Sequence, residues 1–165
     1  ELPRIPLVKK FTNFMKFYKA GYKLGELHVN YESAEMYKIT IKEGDLRLTN
    51  IDDPKSYYRV NKMKFNRFKG KEDKTQIKYN KNITITNIPL EAYDYTVNGK
   101  SALAWVMERQ VVKKDKVSGI INDCNDYANE TMNNPAYPLE LFQRVITMSL
   151  ETMKIVKSLP KLDIK

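Results

Sequence analysis

The sequence predicts an α+β fold, an antiparallel β meander flanked by N-terminal and C-terminal helices. Three observations predict it: helical spacing of apolar residues from Leu7 to Glu32, strict alternation in the middle third, and a second helical pattern from Pro138 to Ser158. The chain has 165 residues, 42% hydrophobic and 30% charged. A chain of this length buries about two-thirds of its unfolded surface in one core, so a single domain over residues 1–165 is expected.

The elements follow in order. Pro3 and Pro6 suit the first turn of a helix, and Phe11, Phe14, Met15, Tyr18, Tyr22, Leu24, Leu27, His28 and Tyr31 predict a broad buried face on it. Gly21 and Gly25 lie on one side of this helix, where each costs about 1 kcal/mol relative to alanine; a closely packed neighbouring backbone is the expected reason. Tyr37–Ile41, Leu46–Leu48, Tyr58–Val60, Lys62–Phe68, Ile77–Tyr79 and Ile83–Thr86 read as strands. Residues 69–74 read as a polar loop within the meander. Asn98-Gly99 marks a turn, and Ser101 is the expected N-cap of a helix through Val112. Residues 119–134 are polar, with room for a short helix around Asp126. The final helix presents Phe142, Val145, Ile146, Ser149, Met153 and Val156 on one face and ends at Pro160.

The single cysteine, Cys124, excludes an internal disulfide and a multi-cysteine zinc site, and fits a reducing cytoplasm. No apolar stretch approaches membrane-spanning length, so no membrane association is expected. The first residue is Glu1, which is read as the start of a fragment of a larger protein. His28 is expected to be a core residue with a satisfied polar tip, Cys124 an incidental thiol, and Trp105 a core residue. Asn134-Pro135-Ala136-Tyr137 lacks the second proline of the adenine-binding loop of amino-methyltransferases, and Asp163-Ile164-Lys165 is too short to indicate a nuclease. No phosphate-binding Gly-Lys loop is present. Neither catalysis nor a bound metal is expected of this chain.

Net charge is +9, and it is focused. Between Lys55 and Asn82 ten basic residues face only Glu72 and Asp73, a net +8. Focused positive charge attracts a polyanion. A two-stranded ribbon fits the major groove of duplex DNA, where arginine pairs with guanine and asparagine with adenine, while lysines meet phosphates. On this reading Lys62, Lys64, Lys69, Lys71, Lys74 and Lys78 contact phosphates, and bases are read by some of Arg59, Asn61, Asn66, Arg67 and Gln76. Contacts to ~3–5 phosphates give a log–log salt slope of about −3 to −5. Charge alone leaves a second reading open, since exposed edge strands carry lysine to resist pairing with other chains. A small nuclease and an RNA-binding module are further alternatives.

A longer series of motifs separates these readings. Asn82-Ile83-Thr84-Ile85-Thr86-Asn87-Ile88-Pro89, Glu91-Ala92-Tyr93-Asp94-Tyr95 and Val97-Asn98-Gly99-Lys100-Ser101-Ala102-Leu103 are followed by Trp105–Arg109, Lys116–Asp126 and Leu150–Val156 before Leu159-Pro160. With Leu2–Pro6, Gly21, Leu27-His28 and Tyr31-Glu32, this order resembles the C-terminal specificity (target-recognition) domain of type ISP restriction–modification enzymes, often labelled predicted helicases. The resemblance spans nearly the whole chain. It departs from the expected pattern at Cys124, where proline is expected, and at Gln110, where tyrosine is expected.

The resemblance implies a bacterial, cytoplasmic parent polypeptide joining a nuclease, an ATP-driven translocase, an N6-adenine methyltransferase and this recognition domain. Its cofactors, ATP, magnesium and S-adenosylmethionine, would be bound by the parent and none by this chain. The implied partners are double-stranded DNA and the methyltransferase domain of the same polypeptide. The alternative within the family is a structural module that docks the methyltransferase without reading bases. The loop Asn122–Asn125 is expected either to contact DNA or the methyltransferase, or to form a hydrogen-bonded turn.

Overall fold

The structure, a computed structural model, describes residues 7–43 and 53–164, with the side chain of Glu43 outside that description. The expected helix-opening prolines Pro3 and Pro6 and the expected strand Leu46–Leu48 lie outside the described residues.

In chain order the elements are α1 (Phe11–Val29), a 3-10 turn (Tyr31–Ser33), β1 (Thr40–Glu43), α2 (Pro54–Tyr58), β2 (Lys64–Phe68), β3 (Lys71–Lys78) and β4 (Ile83–Thr86). A second 3-10 turn (Leu90–Tyr93), β5 (Thr96–Val97), β6 (Lys100–Ser101), α3 (Ala102–Arg109), β7 (Val112–Lys114) and β8 (Ile121–Asp123) come next. Then α4 (Cys124–Asp126) runs into a π turn (Tyr127–Thr131), and α5 (Tyr137–Lys157) closes the series. Helices at both ends thus flank antiparallel strands, as the sequence predicts.

The main sheet has the order β1-β4-β3-β2 and is antiparallel throughout. Strands β2, β3 and β4 follow one another as a meander. The first strand returns beside β4, which gives the Greek-key order. Alternation sorts the side chains: Ile41, Ile85, Ile77 and Phe65 stand in register across the four strands on one face. Ile77 and Ile85 are fully buried in a core shared with Leu103, Phe142, Val145 and Ile146. Burying a side chain of this kind contributes about 1.5–3 kcal/mol, so this face anchors the sheet on α5 and α3. No helix among the described residues is long and apolar enough to cross a membrane.

Several local expectations are corrected. Tyr58 ends a helix, not a strand: the Asp53 carboxylate accepts the Lys55 N–H at 3.1 Å and Pro54 holds the first helical position, so capping outweighs a three-residue alternation. The loop expected over residues 69–74 shrinks to two residues. Lys69 (φ 47°) and Gly70 (φ 80°) make the turn, both in the left-handed region that a two-residue hairpin of this twist requires. Lys71 to Lys74 are therefore part of β3, a polar arm that projects from the core and needs no apolar alternation. Ser101 does cap α3, accepting the Ala104 N–H at 3.2 Å, but the helix ends at Arg109 and Val112 opens β7. The β-branched pair Val111-Val112 favours that switch.

The helix α1 forms where its periodicity places it, yet its aromatic face is not buried. Phe11, Phe14, Tyr18 and Tyr22 are 73%, 50%, 58% and 60% exposed, and only Ala20 is buried. Spacing identifies an amphipathic face but not whether its partner lies in the same chain. A Cβ at Gly21 or Gly25 would meet nothing within 4 Å, so close backbone packing is not the reason for either glycine. On α5 the buried stripe passes through Val145, Met148, Ser149 and Thr152, and leaves Val156 42% exposed. Trp105 is half-buried rather than core. Its indole N–H donates to the Val97 carbonyl at 2.9 Å, and the Lys100 ammonium lies 4.2 Å from its ring centroid.

Candidate nucleic-acid interface

The outward face of the main sheet follows from its register. Lys42 pairs with Thr84, Thr84 with Lys78, and Lys78 with Lys64. Residues paired across antiparallel strands point to the same side, so three lysines and a threonine form one row across all four strands, opposite the apolar row. Lys42 and Lys64 are on the outer strands, where lysine guards a sheet edge. Lys78 is on the interior strand β3, which has no edge to guard. The edge-protection reading therefore accounts for two of the three lysines and not for the one in the middle.

Below this row a groove of about 530 Å³ is lined by Arg59, Asn61, Lys62, Lys64, Lys78 and Lys81. Asparagines build its floor. The Asn80 amide donates to the carbonyls of Tyr57 and Arg59 at 2.9 and 3.0 Å. Its oxygen accepts the Asn82 and Ile83 N–H groups at 2.8 and 2.7 Å. The β3–β4 turn is thereby tied to the segment that joins α2 to β2. Among the described residues Lys42, Lys62, Lys64, Lys78 and Lys81 close no ion pair. Their charges remain available to an anion from outside.

The β8–α4 corner holds the groove's Arg59 end in place. Arg59 forms an ion pair with Asp123. Next to it, the buried Asn125 amide donates to the Val60 carbonyl at 2.8 Å and accepts the Val60 N–H at 3.0 Å, as a neighbouring strand would. The expected Asn122–Asn125 loop is the junction of β8 and α4, where the Asp123 carboxylate accepts the Asn125 N–H at 2.8 Å as the helix cap and Asn125 clamps Val60 within the basic segment. Burial alone would raise the Asp123 pKa, but the Asn125 N–H and side chain and the Arg59 guanidinium outweigh it and hold the carboxyl below its ordinary range. A depressed folded-state value contributes stability above the unfolded value of about 3.9, and that contribution is lost as pH falls through the folded value. Acidification from about pH 6 to about pH 3 is therefore expected to lower the unfolding midpoint of the native chain more steeply than that of Asp123→Asn; parallel slopes in thermal melts would contradict this.

The eleven residues expected from the sequence fall into two groups. Arg59, Asn61, Lys62, Lys64 and Lys78 meet around the groove. Asn66, Arg67, Lys69, Lys71, Lys74 and Gln76 lie on the projecting arm of the β2–β3 hairpin, beyond an irregularity at Phe65/Asn66 where Lys74, Thr75 and Gln76 interrupt the pairing. The arm also carries both acids of the segment. Arg67 stands opposite Glu72, and Asp73 accepts from the Thr75 N–H and hydroxyl and from the Gln76 amide. Those bonds, from Thr75 first, hold the Asp73 carboxyl below its ordinary range. Asn66 donates to Gln76 at 3.2 Å, so two expected base readers are a fixed pair of amides. Lys74 lies over the Tyr93 ring, whose hydroxyl donates to the Lys74 carbonyl.

Lys42 and Lys81 complete the groove and the row, but they are missing from the sequence-based site. Lys42 reaches the row only because β1 pairs with β4, a long-range contact with no local signal. The remaining candidates behave structurally. His28 bonds the Leu24 carbonyl through Nδ1 at 2.7 Å and the Tyr95 hydroxyl through Nε2 at 2.9 Å. Burial pushes the Cys124 thiol up to about 11, so it carries little thiolate at neutral pH. Asn134 accepts the Ala136 N–H at 3.0 Å at the entry to α5, and Asp163 forms an ion pair with Lys9.

Comparison with known proteins decides the family. The model of the Type ISP C-terminal specificity domain matches residues 1–141. The chain belongs to this family. The specificity domain is also similar to a structure of the ATP-dependent Type ISP restriction-modification enzyme LlaBIII bound to DNA, at 38% identity and a TM-score of 0.79. A structure of a nuclease-deletion mutant of the Type ISP enzyme LlaGI in complex with a DNA substrate mimic matches at 40% identity and a TM-score of 0.79. Both likenesses cover 100% of the specificity domain but only 10% and 12% of those chains. The DrdV–DNA complex shares the fold, with a TM-score of 0.72 over 99% of the domain and 24% identity. No curated protein sequence matches the chain.

Proposed function

We propose that this chain recognises a specific sequence in double-stranded DNA as the specificity domain of a single-chain bacterial restriction–modification enzyme, whose nuclease, translocase and N6-adenine methyltransferase reside elsewhere in the polypeptide. ATP, magnesium and S-adenosylmethionine belong to those other parts, and catalysis is not assigned to this chain. The observation that carries the reading is the row of Lys42, Thr84, Lys78 and Lys64 on the outward face of the sheet. Its central member has no edge to protect. Family membership and the DNA in the related LlaBIII and LlaGI structures support the same reading.

Division of labour follows from chemistry. Lys62, Lys64, Lys69, Lys71, Lys74 and Lys78 are assigned to phosphates, which position the domain without reading sequence. Arg67, with its forked guanidinium, and the Asn66–Gln76 amide pair are the strongest base-reading assignments, with Arg59 and Asn61 at the groove end. Arg67→Ala is expected to relax sequence preference, losing about 1–3 kcal/mol on cognate DNA and little on random DNA, whereas Lys71→Ala or Lys74→Ala should weaken both alike. Binding titrations with a selected duplex and a scrambled one measure this. Equal losses on both duplexes for Arg67→Ala would remove it from the reading set.

The exposed aromatic face of α1 favours a second reading, a structural module that docks the methyltransferase domain without reading bases. That reading predicts no salt-sensitive DNA binding and no response to any of these lysine or arginine variants.

A further inference from the structure

Beside the basic groove stands a second hairpin, β7–β8, whose turn and second strand fall within the Lys116–Asp126 motif but whose lysines lie outside the row on the main sheet. It is fastened to the groove's rim at two points, the bridge with its hydrogen bond and an ion pair. Lys62 and Val111 form an isolated antiparallel bridge. The Val112 N–H donates to the Asn61 carbonyl at 2.9 Å. Asp123, the last residue of β8, pairs with Arg59. A two-stranded hairpin is marginal alone, so these ties set its position relative to Arg59, Asn61 and Lys62.

Its turn is built rather than slack. The Asp115 carboxylate accepts the Val117 and Ser118 N–H groups at 3.0 and 2.7 Å and the Ser118 hydroxyl at 2.9 Å. The Asp115 N–H donates to the Ile120 carbonyl at 2.8 Å, and Gly119 supplies the left-handed residue at φ 74°. What this framework holds outward is apolar: Val117 is 97% exposed, and Ile120 and Ile121 are 61% exposed. Lys114 stands opposite Ile121, and Lys113 and Lys116 flank it along the chain, all three exposed and, among the described residues, in no ion pair. Single exposed apolar residues need no explanation, but Val117 and Ile120 on a fixed turn with Ile121 at the start of β8 mark a contact site.

We propose that the β7–β8 hairpin is a second DNA-contacting element: Lys113, Lys114 and Lys116 meet phosphates while Val117 and Ile120 lodge against the apolar sugar and base edges of the groove. The inference rests on the reading of this chain as a duplex-binding domain. Charge selects the occupant. Three exposed lysines against one carboxylate, Asp115, whose oxygens are turned onto the Val117 and Ser118 N–H groups, fit a polyanion, and apolar side chains beside cations suit a groove whose walls are phosphates and whose interior is sugars and bases.

The experiment uses the full chain and a labelled duplex of random sequence, with binding followed by anisotropy between about 50 and about 200 mM salt. Replacing Lys113, Lys114 and Lys116 together with alanine is expected to flatten the log–log salt slope by about 2–3, since each phosphate contributes about 0.9. The Val117→Ser/Ile120→Ser variant should bind about fivefold or more weakly with an unchanged slope, because it removes apolar contact and no charge. Val117→Leu/Ile120→Leu should bind as the native chain does, with all variants sharing its unfolding midpoint. Hairpin variants that bind as the native chain does, while Lys62→Ala/Lys64→Ala/Lys78→Ala loses affinity, would overturn the hairpin's role, leave the DNA reading standing, and assign the apolar tip to a protein contact. Absence of salt-sensitive binding by the native chain at about 50 mM salt would overturn both.

Discussion

Lys64→Ala/Lys78→Ala is expected to flatten the salt dependence of duplex binding by about 2 log–log units and to weaken binding about tenfold or more at moderate salt, while leaving the fold intact. The two lysines face each other across β2 and β3, and like charges directly opposite destabilise a sheet. Removing both should hold stability constant or raise it, by up to about 1 kcal/mol. A loss of function with a gain in stability separates a ligand-binding pair from a structural one. Anisotropy titrations across salt give the first quantity and thermal melts the second. A variant that melts lower and binds unchanged would contradict the assignment.

Asn125→Ala is expected to produce the largest loss of stability, about 3 kcal/mol. Asn125 is 3% exposed and Val60 is fully buried, and the amide is bonded to both backbone groups of Val60. Truncation leaves a buried N–H and a buried carbonyl without partners, at about 1–3 kcal/mol each. For a chain of this size, that lowers the unfolding midpoint by about 6–12 °C. Because the same corner anchors Arg59 and the rim of the groove, surviving folded protein should also bind duplex more weakly. A midpoint within about 2 °C of the native value would show that water replaces the lost bonds.

Much of the fold was legible because its elements are announced locally. Alternation at Ile83–Thr86 and at Lys62–Phe68 marks strands, Ser101 marks a helix start, and periodicity marks both terminal helices. Three features were hidden for identifiable reasons. The pairing of β1 with β4 is a long-range choice, so the Greek-key order and the place of Lys42 in the lysine row carry no local signature. The polar arm from Lys71 to Lys74 is a strand without an apolar face, and a polar run reads as a loop. The capping of α2 by Asp53 and Pro54 overrode a short alternation ending in Val60.

The candidate site divides in the same way. Its charge was visible as the concentration of lysine and arginine between Lys55 and Asn82. Its geometry was not. That Lys64 and Lys78 are neighbours, that Asn66 and Gln76 bond each other, and that Arg59 is paired with Asp123 all depend on register, on the irregularity after Phe65, and on a contact between distant segments. The aromatic residues of α1 teach the converse. Helical spacing placed them correctly on one face, but whether that face is covered is settled by what packs against it.

Sequence recognition by this chain is tested by selection from a pool of random duplexes with the purified chain, run beside its Lys64→Ala/Lys78→Ala and Arg67→Ala variants. The native chain should enrich one short sequence, Lys64→Ala/Lys78→Ala should retain little DNA of any kind, and Arg67→Ala should retain DNA with at least one position of that sequence relaxed. Retention of DNA by the native chain with no sequence enriched would contradict sequence recognition, for the lysine row would then grip a backbone that nothing in this chain reads.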